Sequence, residues 1–255
     1  MGFDSVVARL LLLGGTREAV ELARLLAGDP TIKTTYSLAG RTRQPVSVPV
    51  GVRTGGFGGA EGLESYLRET GTGLVVDATH PYADVISAHA AAACERTAVP
   101  RLVLHRPPWT RQSGDRWIEV PDAASAAVAL PGLGKRALLT VGSQELAPYI
   151  KVEGVAFVVR AVEPPPIALD GTRFEVVLDR GPFDYDAERS LLESRGIDVV
   201  VSKNSGGTAA KAKLEAARAL GLPVVMIARP PPPSGERVET VAAARAWVEA
   251  HVRKR

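Results

Sequence analysis

The sequence predicts an α/β protein made of two open parallel-sheet domains, and three observations carry that prediction. Short apolar runs alternate with helical patterns along almost all of the 255 residues. Several of those runs end in glycine-containing polar loops that open directly into helices. Aromatic residues make up only 5%, while Ala, Val, Leu and Gly abound, a balance that suits parallel strands buried under Ala-rich helices.

The first unit is read from Arg9-Leu10-Leu11-Leu12-Leu13-Gly14-Gly15-Thr16. It is a buried strand and a two-glycine turn, then a helix that Thr16 caps and that carries Ala19, Leu22, Ala23 and Leu26 on its apolar face. Glycines there let a ligand approach backbone N–H groups at a helix N-terminus, which favours anions. The full G-x-G-x-x-G spacing is absent, and the turn also reads as a purely structural one. Thr34–Leu38 is a second strand. It leads into Ala39-Gly40-Arg41-Thr42-Arg43, where an acidic residue for a ribose 2′-hydroxyl is missing. Ser37, Arg41 and Arg43 suit a 2′-phosphate instead; the alternative is two arginines decorating a loop. Gly55-Gly56-Phe57-Gly58-Gly59 reads as a close-approach loop presenting a ring to a flat ligand, or as a plain connector, ahead of a helix over 60–69. Leu74–Val76 is a buried strand, and Thr79-His80-Pro81-Tyr82 lies at its carboxyl end before a helix over 83–96. Ligands of open α/β sheets bind outside those ends. His80 and Tyr82 are therefore the candidates to donate hydrogen bonds or a proton, against the plainer reading that they satisfy local backbone groups.

Arg101–Leu104 is a further strand, and Arg106-Pro107-Pro108-Trp109 breaks the pattern. The domain boundary is placed there, giving domains of 1–108 and 109–255, with 115–117 read as a short exchange between them. The second half repeats the alternation, with strands at 137–141, 156–160, 174–178, 199–201 and 224–227 and a last helix over 241–252. Gly142-Ser143 follows the first of these strands. Ser202-Lys203-Asn204-Ser205-Gly206-Gly207-Thr208 follows the fourth and makes a good anion loop, though it is not a Walker A motif.

A net charge of +3 and no basic patch interleaved with aromatics argue against a nucleic-acid partner. The N-terminal apolar run is too short to span a membrane, so a cytoplasmic protein is expected. The single cysteine, Cys94, excludes an intramolecular disulfide and reads as a packing residue. No nucleophile elbow, H-E-x-x-H or Cys/His ligand cluster occurs, so no metal site is expected. The polar inventory is suited to holding anions rather than to nucleophilic catalysis.

Taken together, Leu13-Gly14-Gly15-Thr16-x-Glu18, Ser37-Leu38-Ala39-Gly40-Arg41, Gly55–Gly59, Asp77-Ala78-Thr79-His80-Pro81-Tyr82-Ala83, Thr140-Val141-Gly142-Ser143 and Ser202–Gly207 resemble the precorrin-6A reductases of cobalamin biosynthesis. The resemblance implies two Rossmann-like domains with a cleft between them. It also implies an NADPH-dependent reduction of one double bond in the precorrin-6A macrocycle, giving precorrin-6B; relatives in the anaerobic pathway act on the cobalt-containing analogue. On this resemblance Gly14, Gly15, Thr16, Ser37, Arg41, Gly55, Gly56, Phe57, Gly58 and Thr79 serve NADPH. His80 and Tyr82 lie near the nicotinamide and the tetrapyrrole as catalytic and substrate-binding residues. Ser143, Lys203, Asn204, Ser205 and Gly206 meet the tetrapyrrole or close over the cofactor. The proton that completes the reduction comes from His80, Tyr82 or water, and a monomer or small homo-oligomer is expected. The rival readings are another NADP-linked reductase of an anionic small molecule, a two-lobed binder and a sugar-nucleotide enzyme.

Overall fold

The computed structural model describes residues 7–40 and 46–253; Arg41 and Arg43 lie outside the described residues. The chain divides into two compact units, Met1–Pro107 with Pro230–Arg255, and Pro108–Arg229.

The first unit starts with β1 (Ala8–Leu13) and α1 (Arg17–Leu26), followed by β2 (Ile32–Leu38), β3 (Gly51–Thr54) and α2 (Gly59–Thr70). It continues through β4 (Leu74–Asp77), α3 (Asp84–Thr97) and β5 (Arg101–Leu104). The four leucines of β1 alternate between the sheet's two faces, and both faces are covered. Leu10 and Leu12 pack with Leu22, Ala23 and Leu26 of α1, while Leu11 and Leu13 pack with Leu63, Leu67, Ala90 and Ala93 of α2 and α3. Thr16 caps α1 as expected, accepting from the Ala19 N–H at 3.1 Å. Cys94 is buried in this second layer, and burial pushes its thiol up to about 11, consistent with packing rather than reactivity.

The second unit holds β6 (Arg116–Val120), α4 (Ala123–Ala129), β7 (Arg136–Thr140), α5 (Ala147–Ile150), β8 (Ala156–Ala161) and β9 (Phe174–Leu178). It ends with α6 (Tyr185–Ser194), β10 (Val199–Lys203), α7 (Ala212–Ala219) and β11 (Pro223–Ile227). The chain then returns to the first unit as β12 (Glu236–Val238) and α8 (Val241–Val252).

Each sheet has six parallel strands, in the orders β3-β2-β1-β4-β5-β12 and β9-β8-β7-β10-β11-β6. Both are doubly wound, reversing direction between β1 and β4 and between β7 and β10. The expected C-terminal domain of 109–255 is corrected by this topology: the second unit stops at Arg229. The tail belongs to the first unit because β12 hydrogen-bonds to β5 and because Ala244, Trp247 and Val248 of α8 join the core of Leu10, Leu12 and α1. Within the 115–117 segment, Arg116 and Trp117 open β6, which pairs with β11 in the second sheet. Among the described residues, no helix is long and apolar enough to cross a membrane, and no cluster of His, Cys, Asp and Glu could hold a metal ion.

Candidate functional site

The carboxyl ends of β1 and β4 meet at the first sheet's reversal point, and the predicted glycine turn sits there. Gly14 is required by its neighbour: a Cβ on it would stand 2.3 Å from Cζ of Tyr36. The Tyr36 hydroxyl in turn accepts from the Gly15 N–H at 3.1 Å, and burial raises the pKa of this phenol, keeping it neutral. Gly15 has φ +115° with open space where a Cβ would point, so the backbone is bare on the outer side. Thr16 donates its hydroxyl to Ala78 O at 2.7 Å while capping α1, which fixes the β1 turn to the loop after β4. Glu18, in the first turn of α1, is neutralised by Arg106 at 2.6 Å. An anion at this helix N-terminus therefore meets no uncompensated carboxylate from that turn.

The ends of β2 and β3 carry the second part of the site. Ser37 and Arg53 face each other in register, and Arg53 Nη1 donates to Ser37 Oγ at 2.9 Å. The same guanidinium donates to the carbonyls of Gly55 and Gly56, each at 3.0 Å, and lies 3.7 Å over the Phe57 ring. Phe57 also packs edge-on against Tyr66 with centroids 5.2 Å apart, so its ring supports Arg53 and Tyr66. Gly62 permits the loop's return, since a Cβ there would sit 1.7 Å from Phe57 O. The Cβ directions of Gly55, Gly56 and Gly58 are open. Sequence reading singled out neither Arg53 nor Gly62; the signal for Arg53 was a cation in a short strand, two residues before the glycine loop.

The β4 end is organised by Asp77, a carboxylate only 1% exposed. Its Oδ1 accepts from the Thr79 N–H at 3.2 Å and the Thr79 hydroxyl at 2.7 Å, and its Oδ2 stands 3.8 Å from Arg101 Nη1. Arg101 also donates through Nη2 to the carbonyl of Ser234, tying the returning chain to this site. The turn at Asp77 projects His80, whose Nδ1 accepts from the Tyr82 N–H at 3.3 Å, so the neutral ring carries its proton on Nε2. The two rings lie 5.6 Å apart. Asp77, Thr79, His80, Ser87, His105 and Ser234 help to line a cavity of about 430 Å³ in this unit, walled along α3 by alanines. His105 was given no role from the sequence.

In the second unit Ser143 and the 202–208 loop lie at the ends of β7 and β10, the corresponding reversal point. Lys203 forms an ion pair with Glu145. Asn204 grips the backbone of Trp109 from both sides: Oδ1 accepts its N–H at 2.8 Å and Nδ2 donates to its carbonyl at 3.0 Å. The Trp109 indole N–H donates to Gly207 O at 2.7 Å, and Arg229 Nε donates to Asn204 O at 3.1 Å. Ser205 is buried, and Gly206 and Gly207 are both left-handed, with φ +66° and +74°. Two side chains expected to meet a ligand, Lys203 and Asn204, are thus engaged with protein groups that fix the loop.

Two doubly wound parallel sheets, one with a bare glycine turn ahead of a capped helix, place the chain in the Rossmann-like class of α/β proteins. The family described as precorrin-6x reductase CbiJ/CobK matches residues 9–249. The precorrin-6A reductase of Rhodococcus erythropolis is 47% identical over 244 residues, covering 95% of this chain and 98% of that protein. The cobalt-precorrin-6A reductase of Priestia megaterium is 30% identical over 243 residues, covering 87% of this chain and 90% of that one. A solved structure of "CobK precorrin-6A reductase" superposes with a TM-score of 0.89 at 44% identity, covering 96% of this chain and 97% of that chain. The chain belongs to the precorrin-6x reductase family.

Proposed function

We propose that this chain reduces one double bond of the precorrin-6A macrocycle with NADPH, giving precorrin-6B, and that it does so in the cytoplasm. The observation that carries this reading is the full-length match to precorrin-6A reductases combined with the open glycine turn at the β1/β4 reversal. The cobalt-bound macrocycle is the second reading; the lower identity to the cobalt-precorrin relative favours the cobalt-free one.

The residues present fit a dinucleotide. Open Cβ directions at Gly15, Gly55, Gly56 and Gly58 form a cradle that side chains would fill, and no acidic residue stands at the end of β2 to repel a 2′-phosphate. NADPH, when bound, supplies the hydride. Gly14 sets the turn, and Gly15 and Thr16 at the N-terminus of α1 hold the pyrophosphate. Ser37, Arg41 and the 55–58 loop hold the adenosine end, and Thr79 orients the nicotinamide through its bonds to Asp77. His80 Nε2 or the Tyr82 hydroxyl holds the proton for the neighbouring carbon, with water as the alternative. Ser143, Ser205 and Gly206 offer hydroxyl and backbone donors to the carboxylates of the tetrapyrrole. Lys203 does so by exchanging Glu145 for a substrate carboxylate.

Titration of the purified protein with NADPH and with NADH, followed by nicotinamide fluorescence, tests the reading. Tighter binding of NADPH supports it; equal affinity for both overturns the cofactor assignment. His80→Ala is expected to lower turnover more than NADPH affinity, and an unchanged rate would return His80 to a structural role.

A further inference from the structure

Among the described residues, no carboxylate forms an ion pair with Arg53. Its hydrogen-bond partners among the described residues are one hydroxyl and two backbone carbonyls, all uncharged. A guanidinium has five N–H donors. Both protons of Nη1 are taken, by Ser37 Oγ and Gly55 O, and one of Nη2 by Gly56 O. Among the described residues that leaves the Nε–H and one Nη2–H without a hydrogen-bond partner; Nε and Nη2 are the two nitrogens through which the side edge of a guanidinium meets two oxygens of a phosphate.

The position of the edge matters as much as its chemistry. Arg53 is the last residue but one of β3, in register with Ser37 near the end of β2. At the end of the second strand, doubly wound dinucleotide domains discriminate between a ribose 2′-hydroxyl and a 2′-phosphate, with an acid for the first and an arginine for the second. Here Ser37 occupies that strand end, and a guanidinium braced by Phe57 at 3.7 Å is fastened to its hydroxyl. Three hydrogen bonds and a stacked ring fix the fork before any ligand arrives, so little rotamer freedom remains to be lost on binding.

We propose that Arg53 is the specificity-determining residue of the cofactor site, holding the 2′-phosphate of the dinucleotide on its Nε/Nη2 edge. This rests on the NADPH reading and sharpens it. Arg41 adds a second cation outside the described residues, but Arg53 is the preorganised one.

The test is calorimetric binding of adenosine 2′,5′-bisphosphate and of 5′-AMP, with no turnover involved. In the wild type the bisphosphate is expected to bind more tightly. Arg53→Met keeps the stem over Phe57 and removes the fork. It is expected to reduce the ratio of the two affinities by about 10- to 100-fold, the range of a charge-assisted hydrogen-bonded contact. Arg53→Lys, keeping the charge without the fork, is expected to recover only part of the ratio. Equal weakening of both ligands in Arg53→Met would mean that the arginine only shapes the loop, and would overturn the assignment. So would an unchanged ratio, or a ratio lost in Arg41→Ala alone. A wild type with no preference for the bisphosphate overturns the NADPH reading itself, and Arg53's role with it.

Discussion

Replacing Lys213 with methionine gives a measurable change in how stability depends on pH. Lys213 lies on α7 with 3% of its surface exposed, its ammonium 5.3 Å from the centre of the Trp109 ring. The charged groups facing it are Arg160 of β8 and Glu188 of α6, which are paired with each other at 2.7 Å. Burial, and then the like charge of Arg160, bring the lysine down from 10.5 to about 7, with Glu188 acting in the opposite direction. Each unit of pKa corresponds to about 1.4 kcal/mol, so holding this lysine charged in the fold costs up to about 5 kcal/mol. Below pH 7 the group is protonated both folded and unfolded, and that cost is present in full. As pH rises from 7 toward 10.5 the folded lysine is neutral while the unfolded one still binds a proton, so stability rises with pH. Lys213→Met removes the dependence. The variant is expected to exceed the wild type by about 3–5 kcal/mol near pH 6, less about 1 kcal/mol for the lost cation–π contact, with the gap narrowing by about 3 kcal/mol near pH 9.5. Urea unfolding at the two pH values, followed by tryptophan fluorescence, reads this directly. All other titrating groups are common to both proteins, so a constant offset between them would refute the reasoning.

Two further predictions concern the turns. Gly14→Ala puts a Cβ against the Tyr36 ring and is expected to cost about 1–3 kcal/mol of stability and to weaken NADPH binding. Thermal melting with and without Tyr36→Leu checks it, since a smaller side chain at 36 should restore part of the loss. Asn204→Ala unmakes both bonds to the Trp109 backbone and is expected to cost about 1–3 kcal/mol, with a red-shifted tryptophan emission. Unchanged emission and melting would free Asn204 for the ligand-binding role read from the sequence.

The parts of the fold legible in the sequence are those where a local pattern and the tertiary demand coincide. Leu10–Leu13 read as a buried strand because both sheet faces are covered, so every residue of the run is apolar. Thr16 read as a cap because its partner, Ala19, is three residues away. The edge strands of the first sheet carried no such signal. In β3, Gly51 and Val52 are exposed, and β12 is Glu-Arg-Val, held to β5 by backbone pairing. Without β12 the return of α8 to the first core could not be foreseen. The site was legible in position but not in the use of its side chains. A lysine and an asparagine at a strand end look the same in sequence whether they bind a ligand or, like Lys203 and Asn204, a glutamate and a tryptophan backbone.

The two units share one device but differ in the helix that comes after it. In each, a threonine hydroxyl fastens the first central strand to the strand across the reversal: Thr16 to Ala78 O at 2.7 Å, and Thr140 to Val201 O at 2.8 Å. In each, a positive-φ glycine lies within two residues of the threonine, Gly15 at +115° just before Thr16 and Gly142 at +90° two residues after Thr140. After Gly15 the chain enters α1, ten residues long, whose aligned peptide dipoles and unpaired amides favour a phosphate. After Gly142 it reaches α5, only four residues long with a proline in its first turn. A helix that short supplies neither the summed dipole nor the free amides. The second unit compensates with charge on side chains, the Lys203–Glu145 pair among them. Under the proposed function, the pyrophosphate is therefore expected at the first unit's helix N-terminus, and the carboxylates of the tetrapyrrole at the polar loops of the second.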